Sequence, residues 1–74
     1  MRWKTYGMDN SEYSVEQVEA VARALEDSEL VEYSTLWYEC VRQMRAAEII
    51  HKELGLGAEI ELPNALSIYI ESEN

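Results

Sequence analysis

A chain of 74 residues with 47% hydrophobic residues and two Trp has enough apolar material for one small domain, 1–74, and too little length for a second. Its net charge of −9 opposes direct contact with DNA, RNA or an anionic membrane and favours a basic protein surface as partner. The single Cys40 excludes an internal disulfide, and no apolar run reaches the roughly 18 residues that span a bilayer, so we expect a cytoplasmic protein.

Residues 2–6 predict a first strand with Trp3 facing inward. Arg2 and Lys4 would then point outward, where they could pair with Glu59, Glu61 or Glu71 on neighbouring strands. This strand matters because an isolated hairpin further along the chain would be only marginally stable.

An amphipathic helix is predicted over residues 14–27. Ser14 and Gln17 have the spacing of a capping box, in which each side chain accepts a hydrogen bond from the other residue's backbone N–H. The apolar residues recur at helical spacing, and the acidic residues fall on the adjoining arc. The apolar set is Val15, Val18, Val21, Ala22 and Leu25.

A long second helix follows and ends at Leu54, where Gly55 is a natural C-cap. Its start is open between Glu29 and Ser34. The core-facing stripe is predicted to be Leu36, Trp37, Cys40, Val41, Met44, Ala47, His51 and Leu54. The other side has a mixed apolar and basic character that would suit a partner, and it consists of Tyr38, Arg42, Arg45 and Ile49.

The C-terminal residues predict a β-hairpin. Residues 59–62 and 66–71 alternate polar and apolar side chains on either side of the turn residues 63–65. The inward set is Ile60, Leu62, Leu66, Ile68 and Ile70. The fold class is therefore α+β, with two helices, one of them long, packed on a small antiparallel sheet in the order β-α-α-β-β with a C-terminal β-hairpin.

Residue types that often do chemistry are present but separated. Cys40 and His51 would lie about 16 Å apart on one helix, too far to share a metal or a proton. We predict that Cys40 is a small buried hydrophobic residue and that His51 is a packed, hydrogen-bonded side chain. Glu48 lies three residues before His51, but di-iron sites need two such motifs and further carboxylates. We expect no catalytic residue, no cofactor and no metal, and thus no enzyme.

The acidic residues are concentrated in the first half of the chain. Residues 9–32 contain eight acids, including Asp9, against Arg23 alone. A solvated surface that keeps a small protein soluble is one explanation. The other is a row of carboxylates that imitates phosphates for a basic partner. The predicted partner-binding set is Glu16, Glu19, Glu26, Asp27, Glu29 and Glu32.

In size and charge, this short acidic domain resembles phage-encoded anti-defence proteins, including anti-CRISPR proteins and DNA mimics, although no motif is shared with them. The resemblance implies an inhibitor that occupies a basic, nucleic-acid-binding surface of a larger effector complex in the host cytoplasm. The alternative is a homodimeric or accessory assembly module that uses the exposed face of the long helix at Tyr38, Arg42, Arg45 and Ile49.

Overall fold

A computed structural model describes residues 1–7 and 11–73. The elements in chain order are β1 (Trp3–Thr5), β2 (Glu12–Tyr13), α1 (Val15–Asp27), α2 (Val31–Leu54), β3 (Ala58–Glu61) and β4 (Ser67–Ile70). The strands form one antiparallel sheet in the order β2-β1-β4-β3. The predicted α+β class with a C-terminal hairpin is confirmed. The two-residue strand β2 is additional, and Asp9 lies outside the described residues.

Helix α1 begins where the capping box predicts. The Ser14 hydroxyl accepts a hydrogen bond from the Gln17 backbone N–H at 3.2 Å, and the Gln17 side-chain oxygen accepts one from the Ser14 N–H at 2.7 Å. These two bonds satisfy donors that a helix N-terminus otherwise leaves unpaired.

Helix α2 begins at Val31, between the two starts that the sequence left open, and has 24 residues. It ends at Leu54, as predicted, because Gly55 adopts the left-handed conformation at φ 69° and donates its N–H to the His51 carbonyl at 2.8 Å. At about 1.5 Å per residue the helix is about 36 Å long.

The core lies between the two helices and one face of the sheet, with Trp3, Met44 and Ile68 fully buried. Two predictions for the core-facing stripe of α2 are wrong. Leu36 and Leu54 are 52% and 62% exposed, because both lie about 80° around the helix from Met44, at the edge of the arc that meets the sheet. On α1, Val21 is likewise 40% exposed.

The opposite face of the sheet is exposed. Arg2 and Lys4 point outward as predicted, but β4 lies between β1 and β3, so neither residue is beside Glu59 or Glu61. Among the described residues, no ion pair joins either of them to Glu71, the third predicted partner. Lys4 instead lies opposite Tyr69 on β4 and Glu12 on β2.

An aromatic pair covers part of this exposed face. The Tyr6 ring stacks on Tyr69 with the ring centroids 4.5 Å apart. The Tyr6 hydroxyl donates a hydrogen bond to Glu59 at 3.0 Å, and this bond is the main cause that raises the pKa of Tyr6 above its usual value.

Candidate protein-binding surface

The acidic side chains of α1 share one side of the helix. Glu16, Glu19, Glu26 and Asp27 fall within about 100° of its circumference, since each residue advances by about 100°. Glu19 is half-buried, and the other three are exposed. Helix periodicity therefore brings four of the six predicted carboxylates onto one surface.

Glu19 is engaged by two arginines. It accepts a hydrogen bond from Arg45 Nη2 on α2 at 3.0 Å, and its other oxygen lies 3.6 Å from Arg23 Nη2 on its own helix. The Glu19 side chain retains only 25% of its exposure. Because its charge is compensated within the molecule, Glu19 contributes less to the outward field than the exposed acids do.

Glu26 is also in contact with α2. Its carboxylate accepts a hydrogen bond from the Tyr38 hydroxyl at 3.3 Å. Partial desolvation, followed by the charge of Glu26, raises the pKa of Tyr38. Tyr38 and Arg45 both belong to the second predicted surface, so the two candidate surfaces lie side by side and meet at the Glu26–Tyr38 and Glu19–Arg45 contacts.

The rest of the second surface is more exposed. Arg42 pairs with Glu39 at 3.1 Å through a solvent-exposed bond, and Ile49 is 63% exposed. Ile49 and Arg45 line an open groove of about 660 Å³ near the C-terminal end of α2. This face presents an apolar residue and two arginines, two of the side-chain types that protein interfaces favour.

The helices are joined by a tight turn at Glu29. Its N–H bonds the Glu26 carbonyl at 3.0 Å, and the Leu30 N–H bonds the Leu25 carbonyl at 2.9 Å. This pattern is a Schellman motif, which places the residue after the C-cap in the left-handed region, and Glu29 accordingly has φ 64°. The motif directs an exposed carboxylate outward at the end of the molecule.

Glu32 lies in the first turn of α2, where its charge complements the helix dipole. It is about 120° around the helix from Tyr38 and about 140° from Arg45. The six predicted carboxylates therefore do not form one straight row. Four lie on one arc of α1. Glu29 lies in the turn between the helices, and Glu32 lies on α2, on a different side from Tyr38 and Arg45.

Exposed apolar side chains accompany these acids, and they were not predicted from the sequence to form a surface. Leu30, Val31, Tyr33 and Leu36 are 45%, 61%, 60% and 52% exposed. The sequence does show a run of apolar residues at the junction of the two helices. Whether these side chains are exposed, however, depends on how far α2 extends past the sheet. We call residues 26–36, which contain four acids and these four apolar side chains, the helical tip.

Much of this negative charge has no cationic partner. Across residues 1–7 and 11–73, no Lys or Arg lies within ion-pair distance of Glu16, Asp27, Glu29 or Glu32. All four side chains are exposed. The helical tip and the adjoining arc of α1 thus form an acidic surface with an apolar component.

Cys40 and His51, the residues considered for catalysis, are both buried and in contact with backbone carbonyl oxygens. Cys40 is buried, its thiol faces the Glu61 carbonyl at 3.7 Å, and desolvation raises the pKa of the thiol. His51 is 8% exposed, and its Nδ1 lies 2.9 Å from the Leu56 carbonyl oxygen. The predictions that Cys40 and His51 are packed side chains are confirmed.

The second ring nitrogen of His51 and the carboxylate of Glu48 also have partners within the protein. His51 Nε2 lies 3.3 Å from Glu73. Glu48, the acid three residues before His51, accepts a hydrogen bond from the Trp3 indole N–H at 2.8 Å. Among the described residues, no group of three or more His, Cys, Asp or Glu side chains is arranged to hold a metal ion.

Two further findings bear on function. In the part of the chain that the structure describes, neither helix combines the length and the apolar character needed to cross a bilayer. No protein-family model, curated protein or solved structure matches this chain. The functional evidence is therefore the surface itself.

Proposed function

We propose that the protein is a non-enzymatic inhibitor of the phage anti-defence type, an anti-CRISPR-like protein or DNA mimic. It occupies a basic, nucleic-acid-binding surface of a larger complex in the host cytoplasm. Exposed carboxylates attract such a surface, because the same Lys and Arg side chains that contact phosphates also pair with carboxylates.

The observation on which this proposal depends is the charge at the helical tip. Asp27, Glu29 and Glu32 are exposed within six residues of one another, and no described cation pairs with them. Leu30, Val31 and Tyr33 lie among them and are also exposed. A purely solvating surface has no need of clustered apolar side chains, whereas a protein-binding surface gains affinity from burying them.

A non-enzymatic role fits the state of the reactive side chains. The Cys40 thiol is buried with a raised pKa, and a protonated thiol is a poor nucleophile. His51 is buried, and both of its ring nitrogens lie beside acceptor oxygens, of the Leu56 carbonyl and the Glu73 carboxylate. Neither residue is available to a substrate at the acidic surface.

The test uses a variant that removes four negative charges from the acidic surface: Glu16→Gln, Asp27→Asn, Glu29→Gln and Glu32→Gln. Wild type and variant are immobilised and exposed to lysate from a bacterium with defence systems, and the captured protein is then purified. We expect wild type to displace labelled DNA or RNA from it, with a Kd that rises with salt. The variant should bind at least about tenfold more weakly, a loss of about 1.4 kcal/mol.

A matched control removes the same number of charges elsewhere. It carries Glu12→Gln, Glu53→Gln, Glu61→Gln and Glu71→Gln, all at exposed positions outside the acidic surface. Its Kd should stay close to that of wild type. Equal weakening by both variants would mean that only total charge matters, and a captured protein that does not bind nucleic acid would contradict the inhibitor proposal.

A second candidate is the assembly module, which the exposure of Ile49 favours. In that case Tyr38, Arg42, Arg45 and Ile49 form the contact with a second copy or an accessory subunit. Light scattering at high concentration tests the self-assembly form. A dimer that Ile49→Ser dissociates would support it, and a monomer would eliminate it.

A further inference from the structure

A second apolar surface runs along α2 at the edge of its core-facing arc, on the side away from α1. Its side chains recur at alternating spacings of three and four residues. They are Tyr33, Leu36, Cys40, Gln43, Ala47, Ile50 and Leu54. We call this set the α2 stripe.

Most of the α2 stripe is exposed. Leu36, Ile50 and Leu54 are 52%, 46% and 62% exposed, and Gln43 between them is exposed as well. Cys40 and Ala47 lie toward the core side, where they are buried and half-buried. From Leu36 to Leu54 the stripe is about 27 Å long at about 1.5 Å per residue. A spacing of three and four residues over this length is that of a helix which pairs with another helix.

Glutamates border one side of the α2 stripe. Glu32, Glu39 and Glu53 each lie one residue before a stripe position, at intervals of seven and fourteen residues, and all three are exposed. The remaining position of this series is Ala46. In paired helices, positions next to the apolar seam hold the charges that select the partner.

From these two features we infer that the α2 stripe binds one amphipathic helix of a partner protein, with Lys or Arg along the border of its apolar face. The partner's apolar residues pack against Leu36, Ile50 and Leu54, and its cations pair with the glutamate border. A second copy of this chain fits poorly, since it would bring an identical glutamate row and a second net charge of −9 against the first. This surface shares Glu32, Tyr33 and Leu36 with the helical tip and no residue with the acidic arc of α1, so chemical-shift changes at Gln43 and Ile50 distinguish it from the surface of the proposed function.

The probe is a synthetic three-heptad helix with Leu at the seam positions and Lys on both borders. A matched peptide has Glu in place of every Lys. Calorimetry should give at least about tenfold tighter binding for the Lys peptide, and its amide chemical-shift changes should centre on Leu36, Gln43 and Ile50. Changes centred on α1, or equal affinity for the two peptides, would overturn the inference.

Two variants test the apolar contact. The double substitution Leu36→Ala and Ile50→Ala removes exposed side chains and keeps a strong helix former, so the fold should persist by circular dichroism. It should weaken binding of the Lys peptide at least about tenfold. Ile49→Ala is the control, because Ile49 is 63% exposed but lies about 100° away from Ile50 around the helix.

The proposed occupant is wrong if Ile49→Ala and the double variant weaken binding equally. It is also wrong if light scattering shows a dimer that the double variant dissociates, because a second copy would then cover the α2 stripe.

Discussion

Glu29 occupies a backbone position at which helices most often have glycine. Its φ of 64° lies in the left-handed region, where the Cβ of an L-residue approaches the following carbonyl oxygen at a cost of roughly 1–2 kcal/mol. The same strain exists at Ala65 in the hairpin turn, with φ 64°. At Glu29 the strained residue also places a carboxylate at the helical tip, which the proposed function would use.

Replacing Glu29 by Gly should stabilise the protein. Glycine removes the steric cost of the left-handed conformation but adds about 0.5–1 kcal/mol of conformational entropy to the unfolded chain, so we expect a net gain of about 0.5 kcal/mol. Urea unfolding measures it as a higher midpoint. The control Glu29→Gln loses the same charge and keeps the Cβ. A lower midpoint for Glu29→Gly than for Glu29→Gln would show that the backbone at residue 29 is not strained, because only the entropic cost of glycine would then remain.

At the scale of the secondary-structure elements, the start of α1 depends on two local hydrogen bonds. Ser14→Ala removes the side-chain acceptor for the Gln17 N–H, leaves the Ser14 carbonyl acceptor at 3.1 Å in place, and should lower the free energy of unfolding by about 1 kcal/mol. Gln17→Ala removes the reciprocal bond. A double-mutant cycle measured by urea unfolding should give a coupling of about 0.5 kcal/mol. Strictly additive losses would mean that the two bonds form independently.

The accuracy of the sequence predictions follows from how local each boundary is. The start of α1 and the end of α2 were predictable because Ser14, Gln17 and Gly55 determine them by short-range chemistry. The start of α2 was not, because Leu30 provides no side-chain cap. Strand β2 was also missed, since two residues become a strand only by pairing with β1.

The candidate surface likewise has features that could be predicted from local sequence and features that could not. Residue type and helical spacing were enough to place the acids of α1 on one arc. The contacts that modify this surface, Arg45 with Glu19 and Tyr38 with Glu26, join residues 26 and 12 positions apart. Such contacts depend on how the two helices pack, which no local pattern specifies. The exposure of Leu36 was mispredicted for a related reason, because the width of the core-facing arc is determined by the sheet.

At the scale of the whole molecule, the fold is extended for its length. Its radius of gyration is 12.6 Å, compared with about 11 Å for a compact domain of this size. Its shortest dimension is 15 Å and its longest is 42 Å. Helix α2, at about 36 Å, accounts for most of the long dimension. A thin molecule with a long helix exposes much surface for its mass, so the acidic surface and the α2 stripe can coexist in one small domain.

Arg45 offers a test that separates the two proposed functions, because it pairs with Glu19 of the acidic surface and also belongs to the assembly face. Arg45→Gln leaves Glu19 with only the longer contact to Arg23, so the acidic surface becomes more negative. If that surface binds a basic partner, the association rate should rise a few-fold at low salt and fall more steeply as salt is added.

The control for this experiment is Arg2→Gln, which changes the net charge equally at an exposed position that precedes β1 and belongs to neither candidate surface. Stopped-flow or surface-plasmon measurements give the rates. A clearly larger increase for Arg45→Gln than for Arg2→Gln supports binding through the acidic surface. Slower or weaker association of Arg45→Gln would instead place Arg45 itself in the contact, because removing an interface arginine takes away hydrogen bonds that only its guanidinium can donate.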